Sequence, residues 1–244
     1  MNSSQHCKPT TLIPSNAGCP GEVHLLQKVY FQKYIVNTFL LIFRIHEANF
    51  GTCSVCFFTM KPTIIEYDSA RYNFREWACE VLAVKELEAI HCLNKVKNCN
   101  ISPTDNQLAK SFSSILDIYK EFILDVLDKK IVGITNYQSP PSFRFHYSGL
   151  GSSVFHRDRD FGVEQGRINV WVPLTNVWGD NSLWIEGKEG AEDHQPITMQ
   201  FGQMLLFDGV NISHGSKINT TSSTRVSFDF RFLPGAGPPR PASY

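Results

Sequence analysis

The sequence has no excess of charge of either sign: 23 Lys and Arg balance 23 Asp and Glu over 244 residues. Without a basic field, nothing gathers nucleic acid or an anionic membrane surface. A small-molecule substrate is the expected partner, with no nucleic acid and no membrane; the oligomeric state is left open. Long apolar runs are also lacking. The most apolar segment, residues 34–45 (YIVNTFLLIFRI), contains Asn37 and Arg44. It falls well short of the roughly 20 residues a membrane helix needs. The first residues show no basic start followed by an apolar stretch, so a secretory leader is not expected and a cytoplasmic protein is. The four N-x-S/T sequons, at Asn2, Asn100, Asn211 and Asn219, then read as chance matches.

Cysteine is absent beyond residue 99. The seven cysteines, at 7, 19, 53, 56, 79, 92 and 99, are odd in number and irregular in spacing. Cys53-x-x-Cys56 has no second pair to complete a zinc site and no βαβ setting that would make it redox-active. Buried or incidental thiols are expected, and thiolates drop off the list of metal ligands in the C-terminal half.

The length suffices for one domain with a sizeable core and some decoration. Residues 1–60 read as an N-terminal extension of uncertain structure. Residues 61–233 read as a single domain, and 234–244 as a flexible tail. Within the domain, Phe74, Trp77, Val81, Val84, Leu87 and Ile90 approximate helical spacing across 73–94. Asp105 is the expected cap of a second helix over 107–129, with Leu108, Phe112, Ile115, Tyr119 and Phe122 on one stripe. Together they fill 73–130 with two amphipathic helices.

After Pro140-Pro141 the pattern changes to short alternating strands between Gly, Asn and Asp turns. They are expected at 143–148, 152–156, 167–174, 182–187, 203–208, 211–214 and 225–232. The predicted fold class is mainly β with a helical layer: a jelly roll or cupin-like barrel over 140–233.

Strand faces show what the barrel is for. Alternation puts Arg225, Ser227, Asp229 and Arg231 on one face and Val226, Phe228, Phe230 and Phe232 on the other. Asn169 and Trp171 likewise share a face, as do Ser182, Trp184 and Glu186. These polar faces carry arginine, tryptophan, asparagine and single acids rather than the lysine and glutamate of a solvated surface. A polar, aromatic cavity inside the barrel fits them, with the apolar faces on the helices. His156 and Asp158, two apart, can point together into it. His214 follows from a later strand. Two imidazoles and one carboxylate that leave coordination positions open suit non-heme Fe(II). Arg225, eleven residues after His214 and beyond the turn at 219–223, offers a fork for a carboxylate beside the Ser227 hydroxyl.

The run His156-Arg-Asp158, Asn169-x-Trp171-x-Pro173-Leu-Thr175, Asn181-Ser-Leu-Trp184-x-Glu186, Gly202, Phe207, His214-Gly, Asn219-x-Thr and Thr224-Arg225-Val-Ser227-x-Asp229-x-Arg231 resembles a known family. It is similar to the Fe(II)/2-oxoglutarate-dependent dioxygenases, in the branch of streptomycin-biosynthesis-type tailoring oxygenases, over roughly 140–232. The resemblance implies a double-stranded β-helix. It implies that His156, Asp158 and His214 bind iron and are catalytic. It implies that Arg225 and Ser227 hold 2-oxoglutarate, with Asn169 and Trp171 lining that pocket, and that O2 is the second co-substrate. The implied function is oxidation of an unactivated C–H bond, by hydroxylation or by desaturation or cyclisation, with release of succinate and CO2. The retained Asp158 argues against halogenation, because related halogenases lack this carboxylate. Glu186 and Asp160 could meet an amine and Arg231 and Arg144 a carboxylate, so an amino-acid-like metabolite of natural-product biosynthesis is the expected substrate. His146 and Trp184 are further candidates near it. The alternatives are a cupin-like metal-dependent isomerase and a non-catalytic metal- or ligand-binding protein.

Overall fold

The structure is a computed structural model that describes residues 44–45, 58–93, 102–103, 105–128, 133–235 and 239–242. All of them belong to one unit, Ile42–Tyr244. The expectations for most of residues 1–60, and for the cysteines at 7, 19, 53, 56 and 99, lie outside the described residues. In chain order the elements are β1 (Arg44–Ile45), β2 (Phe58–Thr59), β3 (Thr63–Glu66), α1 (Phe74–Leu82), α2 (Gln107–Lys110) and α3 (Leu116–Phe122). There follow β4 (Ile134–Gln138), β5 (Ser142–His146), β6 (Ile168–Pro173), β7 (Trp184–Ile185), β8 (Gln195–Pro196), β9 (Gln203–Phe207), β10 (His214–Gly215), β11 (Arg225–Pro234) and β12 (Arg240–Ala242).

The protein is mainly β. Strand β11 is the spine of a seven-stranded sheet ordered β12-β4-β11-β6-β9-β3, with β5 also paired to β11. Its ten residues are long enough to serve three neighbours: β5 along the first half, β4 along the last residues and β6 on the other side. A smaller sheet runs β10-β7-β8.

The alternation in β11 decides what each face meets. Val226, Phe228, Phe230 and Phe232 are all buried. Phe228 meets Phe74 of α1 edge-on with centroids 5.0 Å apart, and Phe230 meets Tyr119 of α3 at 5.5 Å. Phe143 of β5 extends the array to Phe112 and Trp77. Each well-oriented ring pair is worth about 0.5–1.5 kcal/mol beyond its buried area. The helical segments therefore cover the apolar face, as the strand pattern requires. The opposite face brings Arg225, Ser227, Asp229 and Arg231 into register with His146, Arg144 and Ser142 of β5 and with Asn169, Trp171 and Pro173 of β6.

The helices are shorter than expected. In place of a helix over 73–94, α1 stops at Leu82. Ala83 turns left-handed (φ 52°), its N–H reaching Glu80 O while Val84 N–H reaches back to Cys79 O. This is a Schellman ending built on alanine instead of the usual glycine. The second helix is capped by Asn106, not Asp105: Asn106 Oδ1 accepts the Ala109 N–H at 3.0 Å, and its amide ties Pro103 O to Phe143 O. It then breaks into α2, a 3-10 turn (Phe112–Ser114), α3 and a π-helical segment (Ile123–Asp128). At the break, Ser114 Oγ donates to Ser111 O and accepts the Trp77 Nε1–H, hydrogen bonds that compete with helix continuation. The tail expected to be flexible supplies β12, which runs parallel to β4.

Candidate metal and co-substrate site

His156 and His214 come together through a two-residue bridge. Each donates its N–H to the other's carbonyl, at 3.0 and 2.9 Å. Only glycine at 215 permits this approach: a Cβ there would lie 2.8 Å from Phe155 Cα. Asp158, at the head of a 3-10 turn (Asp158–Phe161), is tied down by its N–H to Gly209 O at 2.9 Å. The three side chains converge, with a ligand atom from each within 4.8 Å of the others. Asp158 Oδ1 is 3.6 Å from His156 Nε2 and 3.8 Å from His214 Nε2.

Two backbone carbonyls fix which nitrogens face inward. His156 Nδ1 sits 2.8 Å from Val154 O, and His214 Nδ1 sits 3.0 Å from Ile212 O. A carbonyl only accepts, so each Nδ1 carries the proton and each Nε2 keeps its lone pair for a metal. Burial pushes His214 down to about 4 against the pull of Asp158, so it is neutral at pH 7. The Asp158 carboxylate beside His156 Nε2 favours the protonated ring and raises His156 when no metal competes for that nitrogen. Burial alone would raise the Asp158 carboxyl, but the His156 imidazole beside it and the hydrogen bonds from Arg231 outweigh it and hold the group far below the usual carboxylate range.

Asp158 has two further partners. Arg231 Nε donates to Oδ2 at 2.6 Å and its Nη2 to Oδ1 at 2.8 Å; Asn169 Nδ2 donates to Oδ2 at 2.6 Å. Asn169 was expected to line the co-substrate pocket and Arg231 to meet a substrate carboxylate. Both border the cavity, but their polar ends bind Asp158.

Arg225 stands apart from these pairs. It is 1% exposed, yet no carboxylate among the described residues comes within ion-pair distance of it. Its Nη1 donates to Asn181 O at 3.1 Å, its guanidinium lies 5.5 Å from the Trp171 ring centre, and its Nε has no partner. The buried Ser227 Oγ is unpartnered too. Burial, with repulsion from Arg144, pulls the Arg225 pKa down to about 9, so the cation persists at neutral pH. Arg225 opens on a cavity of ≈ 30 Å³ that is lined also by His156, His214, Asn169, Trp171, Arg144, Asp229 and Arg231.

The remaining candidates divide. Arg144 borders the cavity, ion-paired to Asp229. Four others do not line it. His146 is fully buried, its Nε2 between Leu150 O and Lys217 O, and burial lowers it to about 4. Glu186, 1% exposed, accepts the Ser213 N–H at 2.7 Å and the Glu192 N–H at 3.3 Å, with Arg157 at 3.5 Å. It braces the residue before His214 instead of meeting an amine. Exposed Asp160 accepts the Arg157 N–H, and Lys217 lies 3.5 Å over the Trp184 ring. Asn219 is fully buried, its amide bonded to His146 O and Ser223 O, which leaves no room for a glycan there.

Sequence reasoning missed Gly209 and Phe161 and gave Phe207, part of the family-like run, no role. Phe207 packs on the His214 ring at 5.1 Å; Phe161, 72% exposed, meets the His156 ring edge-on at 5.3 Å. An aromatic three residues after Asp158 was the one readable signal of the missed pair.

The donor set fits a divalent iron, and a buried arginine with no acidic partner among the described residues, on one strand face with an unpartnered hydroxyl, fits a carboxylate ligand. Site and family together define the class: a non-heme Fe(II)/2-oxoglutarate-dependent oxygenase. More particularly, the chain belongs to the family of the streptomycin biosynthesis protein StrG of Streptomyces griseus. The two are 31% identical over 178 residues, 71% of this chain and 85% of StrG. No family model matches the sequence. Similar solved structures include a non-heme monooxygenase, the ThoJ–Ni complex (TM-score 0.46, 18% identical, 70% of this chain and 73% of that one). CytC3 with Fe(II) and alpha-ketoglutarate is another (TM-score 0.43, 17% identical, 71% and 74%).

Proposed function

We propose that the protein oxidises an unactivated C–H bond of a small, amino-acid-like metabolite, by hydroxylation, desaturation or cyclisation, while 2-oxoglutarate is converted to succinate and CO2. In this proposal the Nε2 atoms of His156 and His214 and Oδ1 of Asp158 hold Fe(II). Bound iron, with 2-oxoglutarate and O2, supplies the oxidising chemistry that no side chain possesses. The chain itself positions and shields.

Arg225 and Ser227 take the distal carboxylate of 2-oxoglutarate, and the Trp171 ring forms a wall beside it. The single observation that carries this is Arg225: a fully buried guanidinium with no carboxylate partner among the described residues and an unpaired Nε, opening on the same cavity as the histidines. A cupin-like isomerase has no use for such a group. Apolar Leu183 and Phe207 complete the lining and keep water from the reacting centre. Phe161 and the half-exposed Phe155 stand next to the metal-binding residues, where an incoming substrate would pass.

An amino-acid-like substrate is supported by Arg144 and Asp229, which bring both signs of charge to the cavity wall. The biosynthetic role named for the StrG relative agrees with a small natural-product precursor. The test is a panel of amino acids, amines and apolar acids incubated with Fe(II), 2-oxoglutarate and O2, with succinate measured. Succinate release above background is expected for zwitterionic members. Coupling restricted to apolar or polymeric compounds would contradict the substrate class.

A further inference from the structure

Asp158 is the one ligand of the proposed iron with two oxygens to offer, so something must decide how many of them the metal receives. The structure supplies that device. Oδ2 receives two hydrogen bonds, from Arg231 Nε and Asn169 Nδ2, both at 2.6 Å. Oδ1 receives one, from Arg231 Nη2 at 2.8 Å, and is the oxygen turned toward the two Nε2 atoms. A carboxylate oxygen with two charge-assisted or amide donors has its lone pairs engaged. The other keeps a lone pair for a metal.

The donors are themselves held in place. Arg231 lies on β11 opposite Asn169 on β6, so the sheet register sets the spacing of the two. Gly209 then fixes Asn169 from behind: a Cβ at 209 would lie 2.5 Å from Asn169 Nδ2. The same glycine's carbonyl accepts the Asp158 N–H, so one residue without a side chain touches both ends of the hydrogen bond.

We infer that Arg231 is a positioning residue for the iron site. With Asn169 it pins Asp158 Oδ2 and presents Oδ1 alone, so that the carboxylate takes a single coordination position and leaves the others for co-substrate and O2. This rests on the triad holding Fe(II). It differs from a substrate-binding role for Arg231, and from a purely structural one, in what it says about the metal. Outer partners of metal ligands typically change affinity about 10- to 100-fold when removed. Lysine at 231 keeps the charge but loses the two-pronged geometry, so it restores only part of the function.

The experiment is a Co(II) titration of the full chain without 2-oxoglutarate or substrate, read by competition with a chelating dye and by the visible spectrum of the bound ion. Arg231→Gln should bind Co(II) about 10- to 100-fold more weakly than wild type. It should also show a spectrum shifted toward higher coordination as Asp158 supplies both oxygens. Arg231→Lys should fall between the two. Asn169→Ser and Gly209→Ala, which release or displace the second donor, should shift the spectrum in the same direction; they also decide the matter if Arg231→Gln does not fold. Wild-type affinity and spectrum in these variants overturn the inference, as does a raised substrate KM with metal binding untouched. Wild-type protein that binds no Co(II) at all removes the triad reading itself, an outcome distinct from an Arg231 effect.

Discussion

Replacing Arg225 by methionine should make the ligand-free protein more stable and deprive it of 2-oxoglutarate. Arg225 is 1% exposed and its pKa is pulled from the ordinary guanidinium value down to about 9, chiefly by burial. At about 1.4 kcal/mol per tenfold, that difference corresponds to roughly 5 kcal/mol of unfavourable burial of the charge. Methionine fills much of the same space, and the imperfect fit costs about 1–2 kcal/mol. A net gain of some 3–4 kcal/mol should raise the melting temperature of the ligand-free protein by about 6–16 °C at this chain length. The sign of the pH dependence follows from the lowered pKa. Below about pH 9 the charge burdens the folded state in full. Between there and the unfolded value the unfolded chain binds the extra proton, so wild-type stability rises with pH and the gap to the variant narrows. The same substitution removes the carboxylate's partner, which should weaken 2-oxoglutarate binding by about 2–5 kcal/mol, or roughly 30- to several-thousand-fold. Thermal melts with and without 2-oxoglutarate read both effects. A variant less stable than wild type when ligand-free, or one still stabilised by 2-oxoglutarate at wild-type concentrations, would refute the assignment of Arg225.

Other substitutions test the scaffold around the site. Phe228→Ala removes a ring in contact with Phe74, Tyr119 and Phe143 and should cost about 3–5 kcal/mol in chemical denaturation. Glu186→Gln replaces a buried carboxylate that accepts N–H groups from Ser213 and Glu192. It should lower stability by about 1.5–3 kcal/mol, and hydrogen exchange at Ser213 should accelerate, with no change confined to substrate KM.

The site was more legible than the scaffold, for physical reasons. His156, Asp158 and His214 could be grouped because a period of two puts residues two apart on one side and because few metals suit that donor set. The β11 faces were readable because four aromatic or aliphatic residues alternate with four polar ones. The helix ends were not. Ala83 adopts a left-handed conformation that normally announces itself with glycine, and the break at Ser111–Ser114 is set by a hydrogen bond from Trp77, distant in sequence. The roles of Arg231, Asn169 and Glu186 depend on which of several nearby charges lies closest in space. Alternation shows that Arg231 faces the cavity, but only the register of β11 against β6 puts it beside Asn169 and within reach of Asp158. Glu186 shares the parity of a cavity residue, yet the strand carrying it ends at Ile185 and its carboxylate turns to the backbone before His214.

Anaerobic titration of the full chain with Fe(II) and then 2-oxoglutarate tests the central claim most directly. A weak visible charge-transfer band that appears only with both, saturates at one equivalent of each and is lost in His214→Ala is the predicted result. Absence of the band in folded wild-type protein, with 2-oxoglutarate giving no thermal stabilisation, would contradict the account.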